Sequence, residues 1–152
     1  MNLFHNIIYH PTINKLLRNV NYVLSPILPS KIKLYPSGKL KIRMESVGSI
    51  YFKTNQTSFL TRELFWKGPE KFEFTKIFIK LIKKADVFID IGANIGYYSI
   101  LAGKFNPNIS VIAFEPSEGA MIYASENVRI NNLEDIIKIE PLALFNKTGE
   151  LD

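Results

Sequence analysis

Cysteine is absent from the 152 residues. That excludes disulfides and thiolate metal sites, and it leaves an intracellular, cytoplasmic location as the expectation. Histidine is scarce: His5 and His10 lie in a proline-interrupted leader, with no serine or acid placed to complete a triad. Surface or incidental packing is their expected role, and no metal site is predicted. Long apolar runs are missing as well, since nothing reaches the roughly 18 residues of a membrane span. No basic cluster precedes an uninterrupted apolar core, as a secretory signal would require. There are no internal repeats and no low-complexity tracts.

What the chain does have is concentrated in Asp90-Ile91-Gly92-Ala93-Asn94-Ile95-Gly96. These residues follow the apolar run Val87-Phe88-Ile89 and open a segment, Tyr97 to Lys104, with helical character. Strand, glycine turn and helix in that order place backbone N–H groups at a helix N-terminus, where α/β sheets hold nucleotide-like ligands. A second apolar run, Ile109 to Phe114, ends in Glu115-Pro116. Glu115 lies 19 residues beyond Gly96, close to the roughly 20-residue offset of a ribose-binding acid. An ionised carboxylate only accepts hydrogen bonds and can serve both ribose hydroxyls at once. Gly92 and Gly96 allow a sharp turn and close ligand approach. The spacing is D-x-G-x-x-x-G and lacks the G-x-G-x-x-G of a dinucleotide site. S-adenosylmethionine, which has no phosphate and carries an ammonium and a sulfonium, suits an acid at the first turn. A nicotinamide-dinucleotide half-site is the alternative ligand reading.

The string from Val87 to Ser99, followed by Ala113-Phe114-Glu115-Pro116, resembles the FkbM-type family of S-adenosylmethionine-dependent methyltransferases. Further matches are Asn127, Asn131-Asn132, Ala143-Leu144 and Gly149-Glu150-Leu151. The likeness runs from about Lys31 to the last residue. It implies an α/β fold, the Rossmann-like parallel sheet of a class I methyltransferase, methylating hydroxyls on small molecules. It also implies that Asp90, Gly92, Ala93, Asn94 and Gly96 surround the methionine part of the cofactor, with Glu115 and Pro116 at the ribose. The family continues with a strand bearing I-K-x-D-x-E-G-x-E, which is not found here. The expectation is therefore an amino-terminal portion carrying the first three strands, near 86–91, 109–114 and 136–140. No catalytic base is named, and a non-catalytic remnant is the competing reading. The first strand is expected at the centre of the complete sheet, buried on both faces. Its open edge here would invite self-association.

Each candidate also has a plainer reading. Asp90 could cap the following helix, Glu115 could be a solvent-facing strand-end acid, and Asn94 could be a turn residue tolerating positive φ. Glu70 and Glu73 favour a helix N-terminal turn or contact a ligand. Tyr97 and Tyr98 are expected to pack the helix.

Three regions are expected: a leader over 1–30, a small α+β region over 31–84, and the methyltransferase part over 85–152. In the leader, Leu16, Leu17, Val20, Val23 and Leu24 recur at helical spacing, predicting an amphipathic helix near 12–24. Lys31 to Tyr35 and Lys39 to Met44 alternate apolar and basic residues around Pro36-Ser37-Gly38, predicting a β-hairpin between them; Ile50-Tyr51-Phe52 reads as a further strand. Ser58 to Trp66 reads as a helix ended by Gly68-Pro69. A second helix opens at Pro69 or Glu70, with Phe74, Ile77, Phe78, Leu81 and Ile82 as a stripe expected to pack on the sheet. A helix from Ser117 to about Ile130 carries Ala120, Met121, Ala124 and Val128 on one side, with Ser117 as N-cap.

Charge divides the chain. Residues 1–84 hold 15 Lys/Arg against 4 Asp/Glu, a balance of +11, and residues 85–152 hold 4 against 10, a balance of −6. A basic lobe could attract an anionic substrate, nucleic acid or an anionic membrane surface; solvated basic faces are the plainer reading. Tyr35, Tyr51 and Phe52 could form a stacking platform. No nucleic-acid motif accompanies them, so a small-molecule acceptor and no nucleic acid are expected.

Overall fold

The alternation Lys39-Leu40-Lys41-Ile42-Arg43-Met44 builds one strand of a two-stranded antiparallel hairpin, β1 (Gly38–Met44) against β2 (Gly48–Thr54). Leu40 faces Phe52 and Ile42 faces Ile50, all four buried, while Lys39, Lys41 and Arg43 stand on the solvated face. A computed structural model describes residues 3–27, 33–147 and 149. Within it the chain forms two compact units, Met1–Lys76 and Ile77–Asp152. No helix among the described residues is long and apolar enough to cross a membrane.

The first unit opens with two helices, α1 (Leu3–Ile8) and α2 (Pro11–Leu24), Pro11 occupying the first turn where its missing N–H costs nothing. The amphipathic helix predicted near 12–24 is α2. The predicted pairing of 31–35 with 39–44 is not observed. Lys31 and Ile32 lie outside the described residues, and residues 33–37 form no strand. Their backbone groups are taken by α2 instead. The Asn14 amide donates to Tyr35 O at 3.1 Å, Ser37 N donates to Asn14 Oδ1 at 2.9 Å, and Leu34 N donates to Asn21 Oδ1 at 3.2 Å. The hairpin partner is thus the strand through Ile50-Tyr51-Phe52. α3 (Phe59–Lys67) follows, its first turn capped by Ser58 and its end marked by Gly68 at φ +80°. Phe52 is fully buried, so it belongs to the core and to no stacking platform. Tyr51 lies under Lys39, and Tyr35 under Arg62.

Pro69–Lys71 is a separate short 3₁₀ turn, and α4 (Thr75–Ile82) starts only after Glu73, whose φ of +36° breaks the helix. The apolar stripe of α4 does not pack as expected. Ile82 is buried and Phe78 stacks edge-on against Phe88 and Tyr98. Phe74, Ile77 and Leu81 are exposed.

The second unit is a β-α-β-α-β run: β3 (Val87–Ile91), α5 (Tyr97–Phe105), β4 (Ser110–Phe114), α6 (Glu118–Ile130) and β5 (Ile137–Glu140). The strands are parallel in the order β3-β4-β5, with Asp90 beside Ala113 and Ala113 beside Ile139. The core lies where α5 and α6 cover the sheet: Ile100, Leu101, Ala102, Val111, Ala113, Ala124 and Val128 are buried. Among the described residues nothing covers the reverse side of β3. Val87, Ile89 and Ile91 are exposed, and β3 has a neighbour on one edge only among the described residues. The expected burial of this strand on both faces is therefore not observed.

Candidate functional site

Two parallel strands ending side by side bring their following loops together, and that is where the predicted residues converge. After Ile91 the chain reverses through Gly92 (φ +74°), Asn94 (φ +52°) and Gly96 (φ +80°), all left-handed, and Gly96 starts α5. The left-handed region is open to glycine and tolerated by asparagine, so the spacing of these residues is conformational in origin.

The loop is tied to β4. The amides of Gly92 and Ala93 both donate to Phe114 O, at 2.9 and 3.0 Å, and Gly96 N donates to Ala93 O at 2.8 Å. Asn94 N donates to Glu115 Oε2 at 2.8 Å, and Glu115 Oε1 accepts from Ser117 N at 2.9 Å. Glu115 is only 7% exposed; one carboxylate thus joins the two loops. Each of its oxygens keeps a further lone pair. Asp90 Oδ2 accepts from Ser99 N at 3.1 Å and from Ser99 Oγ at 2.6 Å, which caps the first turn of α5 from the strand below. Burial pushes the Asp90 carboxyl above the usual range; the Ser99 hydrogen bonds pull it back, and the nearby Glu115 charge adds a smaller upward push.

Asp90, Gly92, Ala93, Asn94, Gly96, Glu115 and Pro116 are therefore gathered at one end of the sheet. Their surroundings differ. Ala93 and Gly96 are buried, whereas Gly92, Asn94 and Pro116 are exposed. A Cβ placed on Gly92 would meet nothing within 4 Å, so the turn presents bare backbone to open space. Gly96 instead packs near Ala124, whose Cβ would lie 3.6 Å from an added methyl. Tyr97 is buried in the helix packing, with Tyr98 edge-on to it. Glu70 and Glu73 lie in the first unit, Glu70 paired with Lys76.

The expectation that the turn offers its N–H groups to a ligand requires amendment. The amides of Gly92, Ala93, Asn94 and Gly96 are all engaged within the protein. These four amides are thus committed to the fold and are not available to a diphosphate. Two carboxylates beside bare backbone instead suit a ligand with hydroxyls and cationic groups, so the residues fit S-adenosylmethionine.

Two residues that hold the site were not singled out by role. Ser99 anchors Asp90, and Asn127, fully buried on α6, donates to Ile95 O at 3.0 Å. The signal for Asn127 was a polar residue on the helix side of Ala124 and Val128.

Residues 62–143 match the profile of the TRM5/TYW2 methyltransferase domain. No curated relative matches the sequence. Among solved structures, a protein of Pyrococcus horikoshii assigned as a transferase is similar at a TM-score of 0.54 and 18% identity, over 88% of this chain and 50% of that one. That likeness concerns the fold alone. A methyltransferase of Agrobacterium tumefaciens described as S-adenosylmethionine-dependent aligns at 15% identity and a TM-score of 0.47, covering 69% of this chain and 32% of its own. A Staphylococcus aureus protein assigned as a caffeoyl-CoA O-methyltransferase aligns at 25% identity and a TM-score of 0.41, over 43% of this chain and 32% of its own. The chain thus spans between about a third and a half of the length of these structures.

Proposed function

The chain belongs to the TRM5/TYW2 methyltransferase-domain family, and from that premise we propose that it contributes to methyl transfer from S-adenosylmethionine to a hydroxyl of a small-molecule acceptor, in the manner of the FkbM type. The observation that carries the reading is the placement of Asp90 and Glu115 at the ends of adjacent parallel strands, beside a glycine turn in which the amides of Gly92, Ala93, Asn94 and Gly96 bond within the protein. The D-I-G-A-N-I-G-Y-Y-S string supports the FkbM likeness. The bound cofactor supplies an electrophilic methyl on its sulfonium.

In this reading Glu115 accepts the ribose hydroxyls through its remaining lone pairs, with Pro116 beside the same group. Gly92 lets the ligand approach the backbone, and Asp90, Ala93, Asn94 and Gly96 form the wall around the methionine part. The protein's contribution is to hold donor and acceptor in line, which by itself accounts for large rate gains. The domain boundaries at residues 30 and 84, a cytoplasmic location and the absence of a nucleic-acid partner belong to the same proposal.

RNA is the second acceptor class, favoured by the +11 balance of residues 1–84. Incubation with labelled methyl donor and either a panel of hydroxylated small molecules or RNA distinguishes the two. Label on the small molecules supports the reading; label on RNA alone replaces it. Cofactor binding without transfer to either marks this chain as a binding portion, and no binding marks it as a remnant.

A further inference from the structure

α2 is turned inside out. Its polar residues Asn14, Arg18 and Asn21 face the protein, where Arg18 is only 4% exposed, donates to Asn14 Oδ1 at 2.7 Å and lies 5.1 Å from the centre of the Phe65 ring. These residues recur at i, i+4 and i+7, one narrow stripe of a helix. The opposite side carries Ile13, Leu16, Leu17, Val20, Val23 and Leu24, all exposed, with Leu16 at 67% and Val23 at 76%. Leu3, Phe4 and Ile7 of α1 are exposed as well. Soluble domains seldom leave so many large apolar side chains exposed on two successive helices without an occupant.

We propose that the outward face of α1 and α2 docks on an anionic lipid surface, with the helix lying in the plane of the interface. Charge selects this occupant. Residues 1–44 contain seven Lys/Arg and no Asp/Glu, and of these Lys15, Lys39, Lys41 and Arg43 are exposed in the same unit. An apolar helix face within a predominantly basic unit is the combination that interfacial helices use. A second copy of the chain is disfavoured by the same charges, because pairing through α2 would bring two predominantly basic units together. A nucleic acid would leave the apolar face unmatched. The inference is independent of the methyl-transfer reading.

The test is sedimentation of the full chain with vesicles of phosphatidylcholine, with and without phosphatidylserine, alongside Val23→Glu and Leu16→Glu. Both side chains are exposed, so the variants should keep the wild-type circular dichroism and unfolding midpoint. The expected result is binding to the anionic vesicles, weakened by about tenfold or more on neutral vesicles, in high salt and in either variant. Wild type remaining in the supernatant overturns the proposal. So does equal binding to both vesicle types, or binding unchanged by both substitutions. A light-scattering mass of a dimer that reverts to monomer in Val23→Glu, without vesicle binding, gives the face to a second copy instead.

Discussion

Replacing Glu115 by Gln separates the carboxylate's structural work from mere placement. Its two oxygens accept one amide each, from Asn94 at 2.8 Å and Ser117 at 2.9 Å. A carboxamide has one accepting oxygen, so in either orientation one backbone N–H meets an NH₂ group. A hydrogen bond to a charged group contributes about 1.5–3 kcal/mol. Asn94 and Ser117 are exposed, so water can reach the orphaned amide, and the lower part of that range applies. Removing the charge also relieves the weak repulsion on Asp90. The expected loss is about 1.5 kcal/mol for Glu115→Gln and about 3 kcal/mol for Glu115→Ala, where both bonds go. For a unit of this size a loss of 1.5 kcal/mol lowers the melting temperature by roughly 6–12 °C. Urea and thermal unfolding followed by circular dichroism measure it. A Gln variant within about 0.5 kcal/mol of wild type, the usual range for a surface substitution, would refute the idea that this carboxylate ties the two loops together.

Asp90→Asn should behave oppositely. One oxygen, Oδ2, takes both Ser99 bonds, and an amide oxygen can take them too, while the desolvated charge disappears. Because the folded-state pKa of Asp90 is raised from 3.8, its contribution to stability is fully present below pH 3.8 and is lost as pH rises through the folded value. Asp90→Asn should thus be at least as stable as wild type at pH 7 and lack that decline, while binding S-adenosylhomocysteine more weakly. A loss above about 1 kcal/mol at pH 7, or an unchanged pH profile in urea unfolding, contradicts this. Gly92→Ala adds a methyl facing open space at φ +74°, so it should cost about 1–2 kcal/mol of backbone strain and additionally obstruct the ligand. Calorimetric titration finding undiminished cofactor affinity in that variant would remove Gly92 from the binding surface.

The second unit was legible in the sequence because its signals are local. Each observed strand lies within a residue of the expected bounds, since a short apolar run ending at Asp90, Glu115 or Glu140 leaves little freedom in register. The positive φ at Gly92, Asn94 and Gly96 follows from the same residues. The side chains' targets were less accessible. The capping reading of Asp90 is observed, and cofactor contact by the same residue remains proposed. Glu115 is buried between two loops, against its plainer reading as a solvent-facing acid, because the amides of Asn94 and Ser117 reach it only after β3 and β4 pair. In the first unit local pattern misled. Residues 33–37 alternate like a strand, yet Asn14 and Asn21 capture their backbone groups from far along the chain. The apolar stripe of α4 likewise fixed a helix without fixing what each residue would meet.

The central claim is that the loops after β3 and β4 hold a phosphate-free adenosyl ligand. The direct measurement is the unfolding midpoint of the full chain with saturating S-adenosylhomocysteine, set against nicotinamide adenine dinucleotide. At a ligand concentration 100 times Kd, stabilisation of about 2.7 kcal/mol is expected with S-adenosylhomocysteine and none with the dinucleotide. A shift with the dinucleotide alone, or with neither ligand, would contradict the account.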